Sequence, residues 1–196
     1  MTLSPEEENV LFNADYLHTK RLVSEKITDA LTSFGKTLKA RIGELDKQHI
    51  IRNYAEPYAK ISRGENYGGL PYFMLDYPRK FTTEEVFAFR TMVYWGNHFS
   101  FTLHVSGSCF ELVRIKLMQM SEILSDAYIC VASTPWEYHY EPHNYQLIGS
   151  LSEESYQKIL NENSFVKISI PYELKKYKNL NQYGLLFFQK IITILN

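Results

Sequence analysis

Cys109 stands where an α-helix is expected to begin, directly after Val105-Ser-Gly-Ser108. Free amides and the helix dipole at such a start favour anions and lower a thiol pKa. His104 lies five residues earlier. It has the chemistry of a general base, so an enzyme with a histidine base and a Cys109 nucleophile is one reading. Arg114 follows at C-x4-R spacing, one residue short of the C-x5-R loop with which tyrosine phosphatases cradle phosphate. Against this, a free cysteine is more often a small buried hydrophobe. In His139-Tyr-Glu-Pro-His143, two imidazoles and Glu141 come close together. Pro142 forbids the helical i, i+4 geometry that zinc motifs use, and no third ligand group is evident, so no metal is assigned. Arg63-Gly-Glu-Asn-Tyr-Gly-Gly69 is glycine-rich but matches neither a P-loop nor a dinucleotide fingerprint. Its glycines read as turn positions at positive φ, and a second reading folds the loop over the hairpin as a lid, with Arg63 as an anion holder.

The richest stretch is Val86–Val105, which reads as two strands around a Gly96-Asn97 turn. A two-residue turn sets Trp95 opposite His98, Val93 opposite Ser100, Thr91 opposite Thr102 and Phe89 opposite His104, all on one face. Met92 then opposes Phe101 and Arg90 opposes Leu103, on a nearly all-apolar face that should meet helices. The mixed face offers aromatic walls, three hydroxyls and two imidazoles, a composition expected of a small-molecule site. The candidate ligand-binding set is therefore Arg63, Arg90, Thr91, Trp95, His98, Ser100, Thr102 and His104. The competing reading is a half-exposed sheet face in which Thr and Ser serve β-propensity. Arg90, alone on the apolar face, needs an anionic partner. Asp76 and Glu65 are the candidates, and a structural ion pair is preferred over ligand binding.

These residues need elements to hold them. Ser4-Pro5-Glu6-Glu7 is a capping box that opens a helix, kinked near Asn13. Val23, Ile27, Ala30, Phe34, Leu38 and Leu45 then mark one face of a long amphipathic helix ending near Gly43. Tyr54–Ser62 looks extended, 63–71 a loop, Tyr72–Tyr77 a strand stopped by Pro78, and 81–85 one helical turn. Ser108-Cys-Phe-Glu111 is a second capping box, opening a helix to about Leu124. Strands are expected at 127–132, 145–149 and 165–170, and helices at 152–160 and 182–195. Hairpins dominate and βαβ alternation is absent. The order predicts a single α+β domain over 1–196, with a mainly antiparallel sheet, helices on one face and a long N-terminal helix.

At 196 residues the chain can bury a real core. A formal net charge of −1 excludes the basic excess of a nucleic-acid binder. The charge is uneven, with acids concentrated over 121–162 and lysines over 163–196. Two cysteines make neither a disulfide framework nor a zinc cluster. The acidic N-terminus lacks a signal-peptide core and no segment is long enough to cross a bilayer, so a soluble cytoplasmic location without membrane partners is expected. No cofactor is assigned.

Lys60-Ile-Ser-Arg-Gly-Glu-Asn-Tyr67, the strand and hairpin after it, and the Phe165-Val-Lys-Ile-Ser169 strand with its closing helix resemble the YktB-like bacterial proteins. The similarity spans about residues 58–106 and the tail, and it implies a single α+β domain of bacterial origin. It carries over no activity and no functional residue. The leading expectation is a cytoplasmic small-molecule or anion-binding protein that uses the 86–105 hairpin. A third reading is an interaction module, including a weak homodimer, through the aromatic 134–143 loop with Trp136, Tyr138 and Tyr140 exposed.

Overall fold

The computed structural model describes all residues, 1–196. Seven strands form one sheet: β1 (Lys60–Tyr67), β2 (Leu70–Phe81), β3 (Val86–Tyr94), β4 (His98–Ser106), β5 (Tyr128–Cys130), β6 (Tyr145–Leu147) and β7 (Phe165–Glu173). Their spatial order is β1-β2-β3-β4-β7-β5-β6, and every pairing is antiparallel. Five helices accompany it: α1 (Pro5–Phe12), α2 (Ala14–Gly43), α3 (Phe110–Gln119), α4 (Glu153–Glu162) and α5 (Leu180–Leu195). The α+β class and the long N-terminal helix are as the sequence predicts.

Local chemistry accounts for the helix starts. Ser4 and Glu7 form the expected reciprocal cap on α1, and Asn13 ends α1 and caps α2 by accepting from the Tyr16 amide at 2.9 Å. Ser152 caps α4. The Ser108–Glu111 box does not form. Ser108 instead donates to Glu85, and Glu111 pairs with Arg114 at 2.6 Å.

Three further expectations are corrected. Residues 63–67 are not a lid but the end of edge strand β1, turned into β2 through Gly68 and Gly69, both at positive φ. Pro78 does not stop β2, because it sits in a bulge between Asp76 and Arg79 where no ladder hydrogen bond is needed. No helical turn forms at 81–85, where Thr82 accepts from the Glu85 amide and β2 passes directly to β3.

One face of the sheet carries the main core. Phe34 and Leu38 of α2, Phe187 and Phe188 of α5, and Val113 and Leu117 of α3 pack with Phe89, Phe101 and Ile168 of the sheet in a single cluster of 36 buried residues. Gly184 lets α5 approach closely. A Cβ there would stand 2.3 Å from the Phe34 ring and 2.6 Å from Phe101. The other face of the sheet, left to solvent in many antiparallel folds, is covered here by the loop of residues 131–144 between β5 and β6. Tyr138 of that loop packs with Met74, Met92 and Tyr94.

The hairpin register differs from expectation by one residue. Thr91, not Met92, opposes the buried Phe101, and Arg90 opposes Thr102. The connection holds three residues, Trp95, Gly96 and Asn97, with Gly96 at φ 67° and the Asn97 amide donating to Tyr94 O at 3.2 Å. One extra loop residue turns all of β3 over relative to β4. Phe87, Phe89, Thr91, Val93 and Trp95 therefore join Phe99, Phe101, Leu103 and Val105 under the helices. Arg90 moves to the side of His98, Ser100, Thr102 and His104.

Candidate functional site

The structure splits the expected site set. Arg90, His98, Ser100, Thr102 and His104 share the loop-covered face, whereas Thr91 and Trp95 lie on the helix face. Arg63 is exposed on edge strand β1, opposite Phe73 and thus on the helix-side face. The eight residues do not form one site.

The loop-covered face has two regions. Its interior is a closed polar network. Arg90 donates to both Asp76 oxygens, at 2.7 and 2.9 Å, and to the Tyr138 hydroxyl. The expected ion pair is thus formed with Asp76, while Glu65 pairs with Lys20 instead. Thr102 shares a 2.7 Å hydrogen bond with Ser169, which also meets the Tyr140 hydroxyl at 2.5 Å. His104 lies between Trp136 and Phe165 with Nε2 buried and unpartnered. Burial, with the Lys167 and Arg90 charges behind it, pulls its pKa down to about 3.

Lys167 of β7 opposes His104 and is 1% exposed. Its ammonium donates to the Glu137 carbonyl and lies 4.2 Å from the Tyr138 ring centroid. Burial lowers its pKa to about 7. Sequence reasoning missed this residue. The available signal was a lysine in phase with Ser169 on a strand whose other neighbours, Val166, Ile168 and Ile170, are apolar.

The second region opens to solvent. A cleft of about 550 Å³ lies where the hairpin end meets the covering loop. Tyr67 and Gly68 border it from the β1–β2 turn, and Tyr94, Asn97 and His98 from the hairpin. Glu137, His139, Tyr140 and Glu141 come from the loop, and Pro171 from β7. Of the expected set only His98 reaches it. The loop residues were read as a metal possibility or an interaction surface and not as part of this site, because nothing local predicts that 131–144 returns across the sheet.

His98 is 9% exposed and stacks edge-on to Tyr94 and Tyr140, with centroids at 5.7 and 5.1 Å. Its Nδ1 meets Asn97 Oδ1 at 3.0 Å, while Nε2 is buried without a partner. With Nδ1 donating to that oxygen, Nε2 is a bare acceptor. Burial pulls the pKa down to about 4, so the ring is neutral near pH 7.

Cys109 does not join His104. The thiol is buried in the helix-side core, and its pKa is raised by burial, with the nearby Glu85 carboxylate adding to the effect. Glu85 lies beside this helix start, accepting from the hydroxyls of Tyr54 at 3.0 Å and of Ser108 and pairing with Lys80. His139 and His143 do approach, with ring centroids 5.0 Å apart. No group of three His, Cys, Asp or Glu side chains is arranged to hold a metal ion. The covering loop is not an exposed aromatic patch either. Trp136 is 52% exposed, but Tyr138 is buried and Tyr140 is half-buried.

On the helix side, an apolar groove of about 600 Å³ runs between α2 (Val23, Ile27, Ala30), the hairpin end (Trp95, Phe99) and the segment Leu174–Leu180. No helix is long and apolar enough to cross a membrane. Comparison with known proteins finds no match to a family model, a curated protein or a solved structure, so the YktB-like resemblance gains no support from it.

Proposed function

We propose that this protein binds a small molecule, without covalent chemistry, in the cleft between the hairpin end and the 131–144 loop. The observation that carries this reading is the cleft itself, lined by polar and aromatic groups from the β1–β2 turn, the hairpin, the covering loop and β7, with the nearly buried His98 imidazole in its wall. The volume falls within the range of small-molecule sites. An acid–base enzyme is the weaker reading, since His104 is sealed inside and Cys109 is held in the opposite core. Two free cysteines support a reducing, cytoplasmic setting.

The test is a thermal-shift screen of the full chain against amines, anions, nucleotides and sugars at millimolar concentration. A ligand bound only by the native state raises Tm. The reading expects at least one class to do so, and expects His98→Phe to abolish the shift while folding normally. No shift from any class overturns it.

A second reading, self-association, is favoured by the helical arm rather than by the aromatic loop. Neither α1 nor residues 14–30 contain a buried residue, and Val10, Leu11 and Phe12 are exposed, Phe12 at 73%. Glu6, Glu7 and Glu8 accompany them on α1, while Lys26 lines the apolar groove and Lys176 and Lys178 are the sequence neighbours of Tyr177 in its wall. We propose that α1 of a second copy seats in this groove, apolar residues inward and glutamates toward the lysines. Sedimentation at about 100 µM, where a weak contact populates, should show a dimer that Phe12→Lys dissociates. A monomer at that concentration overturns this reading, as does a dimer indifferent to Phe12→Lys.

A further inference from the structure

Resting on the cleft reading above, we infer that the ligand is a small organic cation, an amine or methylated ammonium, held by tyrosine rings and two glutamates. Tyr67, Tyr94 and Tyr140 border the cleft, yet none has a free hydroxyl to offer. The Tyr67 hydroxyl donates to Glu137 at 3.1 Å and accepts from the Tyr138 amide at 2.7 Å. The Tyr94 hydroxyl donates to the Tyr67 carbonyl at 2.8 Å. The Tyr140 hydroxyl is engaged with Ser169 at 2.5 Å. What remains for a ligand is ring surface, chiefly that of the half-buried Tyr67, since Tyr94 is buried and Tyr140 stacks on Tyr145 at 4.8 Å; the negative quadrupole of such a ring attracts cations.

The other polar groups point the same way. Glu137 and Glu141 border the cleft and neither makes a salt bridge. No lysine or arginine borders it. Lys167 meets the Glu137 backbone carbonyl, not its carboxylate. The Arg90 guanidinium is saturated by Asp76 and Tyr138 inside the sheet. An anion entering this cleft would meet two carboxylates outside any salt bridge and no lysine or arginine in the lining. A cation meets both carboxylates. The lining does not gather three metal-ligating side chains, which favours an organic cation over a metal ion.

The experiment is titration calorimetry on the full chain with spermidine, choline and 3,3-dimethylbutan-1-ol, the uncharged isostere of choline, and with phosphate as the anion. Saturable binding of a cation is expected, with the neutral isostere weaker by about tenfold or more, as desolvated cation–π and carboxylate contacts imply. Glu137→Gln combined with Glu141→Gln should weaken the cation by about tenfold or more. Tm without ligand should be unchanged, since the side-chain amide oxygen that replaces the Glu137 carboxylate still accepts from Tyr67. Equal binding of isostere and cation overturns the inference, as does an unaltered cation affinity in the double variant. If the cations fail but phosphate or another class in the broad screen binds in a His98-dependent way, the inference falls and the cleft reading stands. If nothing binds in either experiment, both fall.

Discussion

Asp76 and Arg90 show how strongly one pair of side chains constrains this sheet. The guanidinium is nearly buried and bonded bidentately, with Tyr138 closing its remaining side. Removing one partner strands a buried charge at about 3–5 kcal/mol. Asp76→Ala should therefore shift the urea midpoint sharply downward, and Asp76→Ala with Arg90→Met should recover much of the loss. His104 and Lys167 add pH dependence of known sign. His104 has a folded pKa near 3 against an ordinary 6.5, so the unfolded chain binds more protons between them. Stability is full above pH 6.5 and falls as the solution is acidified toward 3. His104→Phe should remove this slope, gaining about 2 kcal/mol on wild type between pH 7.5 and pH 5, read from urea midpoints at each pH. Lys167 titrates near 7 when folded and at 10.5 when unfolded, so the unfolded chain again holds the extra proton. Wild-type stability should rise from pH 7 to 8.5 relative to Lys167→Met by at most about 1.4 kcal/mol per pH unit. Parallel profiles for the two proteins would show that Lys167 is not the titrating group.

At the scale of elements, the hairpin connection decides which chemistry faces which side. Trp95, Gly96 and Asn97 all belong to the loop, and the place of Trp95 outside the strand sends Arg90 to the polar face. Replacing these three residues by Asn-Gly gives a two-residue turn that still sets Tyr94 opposite His98, so Arg90 keeps its place opposite Thr102. The variant should keep cooperative unfolding in calorimetry and lose only the packing of Trp95 on Phe73. A variant without cooperative unfolding would show that the three-residue loop itself holds the register. The sequence held the clue. The β4 strand alternates His98, Ser100, Thr102 and His104 against Phe99, Phe101, Leu103 and Val105 without exception. The side of β3 that carries arginine should have been matched to the polar set. The glycine-asparagine pair suggests a two-residue turn, but burying a guanidinium among phenylalanines outweighs any turn preference.

For the whole molecule, the single large core and the projecting arm predict different tolerances. Every residue of α1 is unburied, and the buried face of α2 begins only at Leu31. Deleting residues 1–12 should leave Tm within about 2 °C of the full chain in calorimetry, because little apolar area is uncovered. A larger drop would mean that α1 packs more firmly than its exposure implies. The covering loop is the opposite case. It carries the Tyr138 contact to Arg90, the Glu137 carbonyl that meets Lys167 and the acidic border of the cleft, so it joins stability to the proposed binding site.

Elements with a strong local signature were legible from residue order alone. The Ser4–Glu7 cap, the 3.6-residue stripe through Phe34 and Leu38, the alternation in β4 and the absence of βαβ spacing each act within a few residues. The Asp76 partner of Arg90 was also within reach, because buried guanidinium demands a carboxylate from a neighbouring strand. Tertiary structure alone decided the candidate site. Tyr67, Tyr94, Tyr140, Glu137 and Glu141 meet only because a loop without periodicity crosses the sheet and is tied down by Arg90 and Lys167. Such a path depends on long-range contacts between residues up to 71 positions apart, as in the Tyr138–Tyr67 hydrogen bond. Local propensity and hydrophobic period carry no record of these contacts.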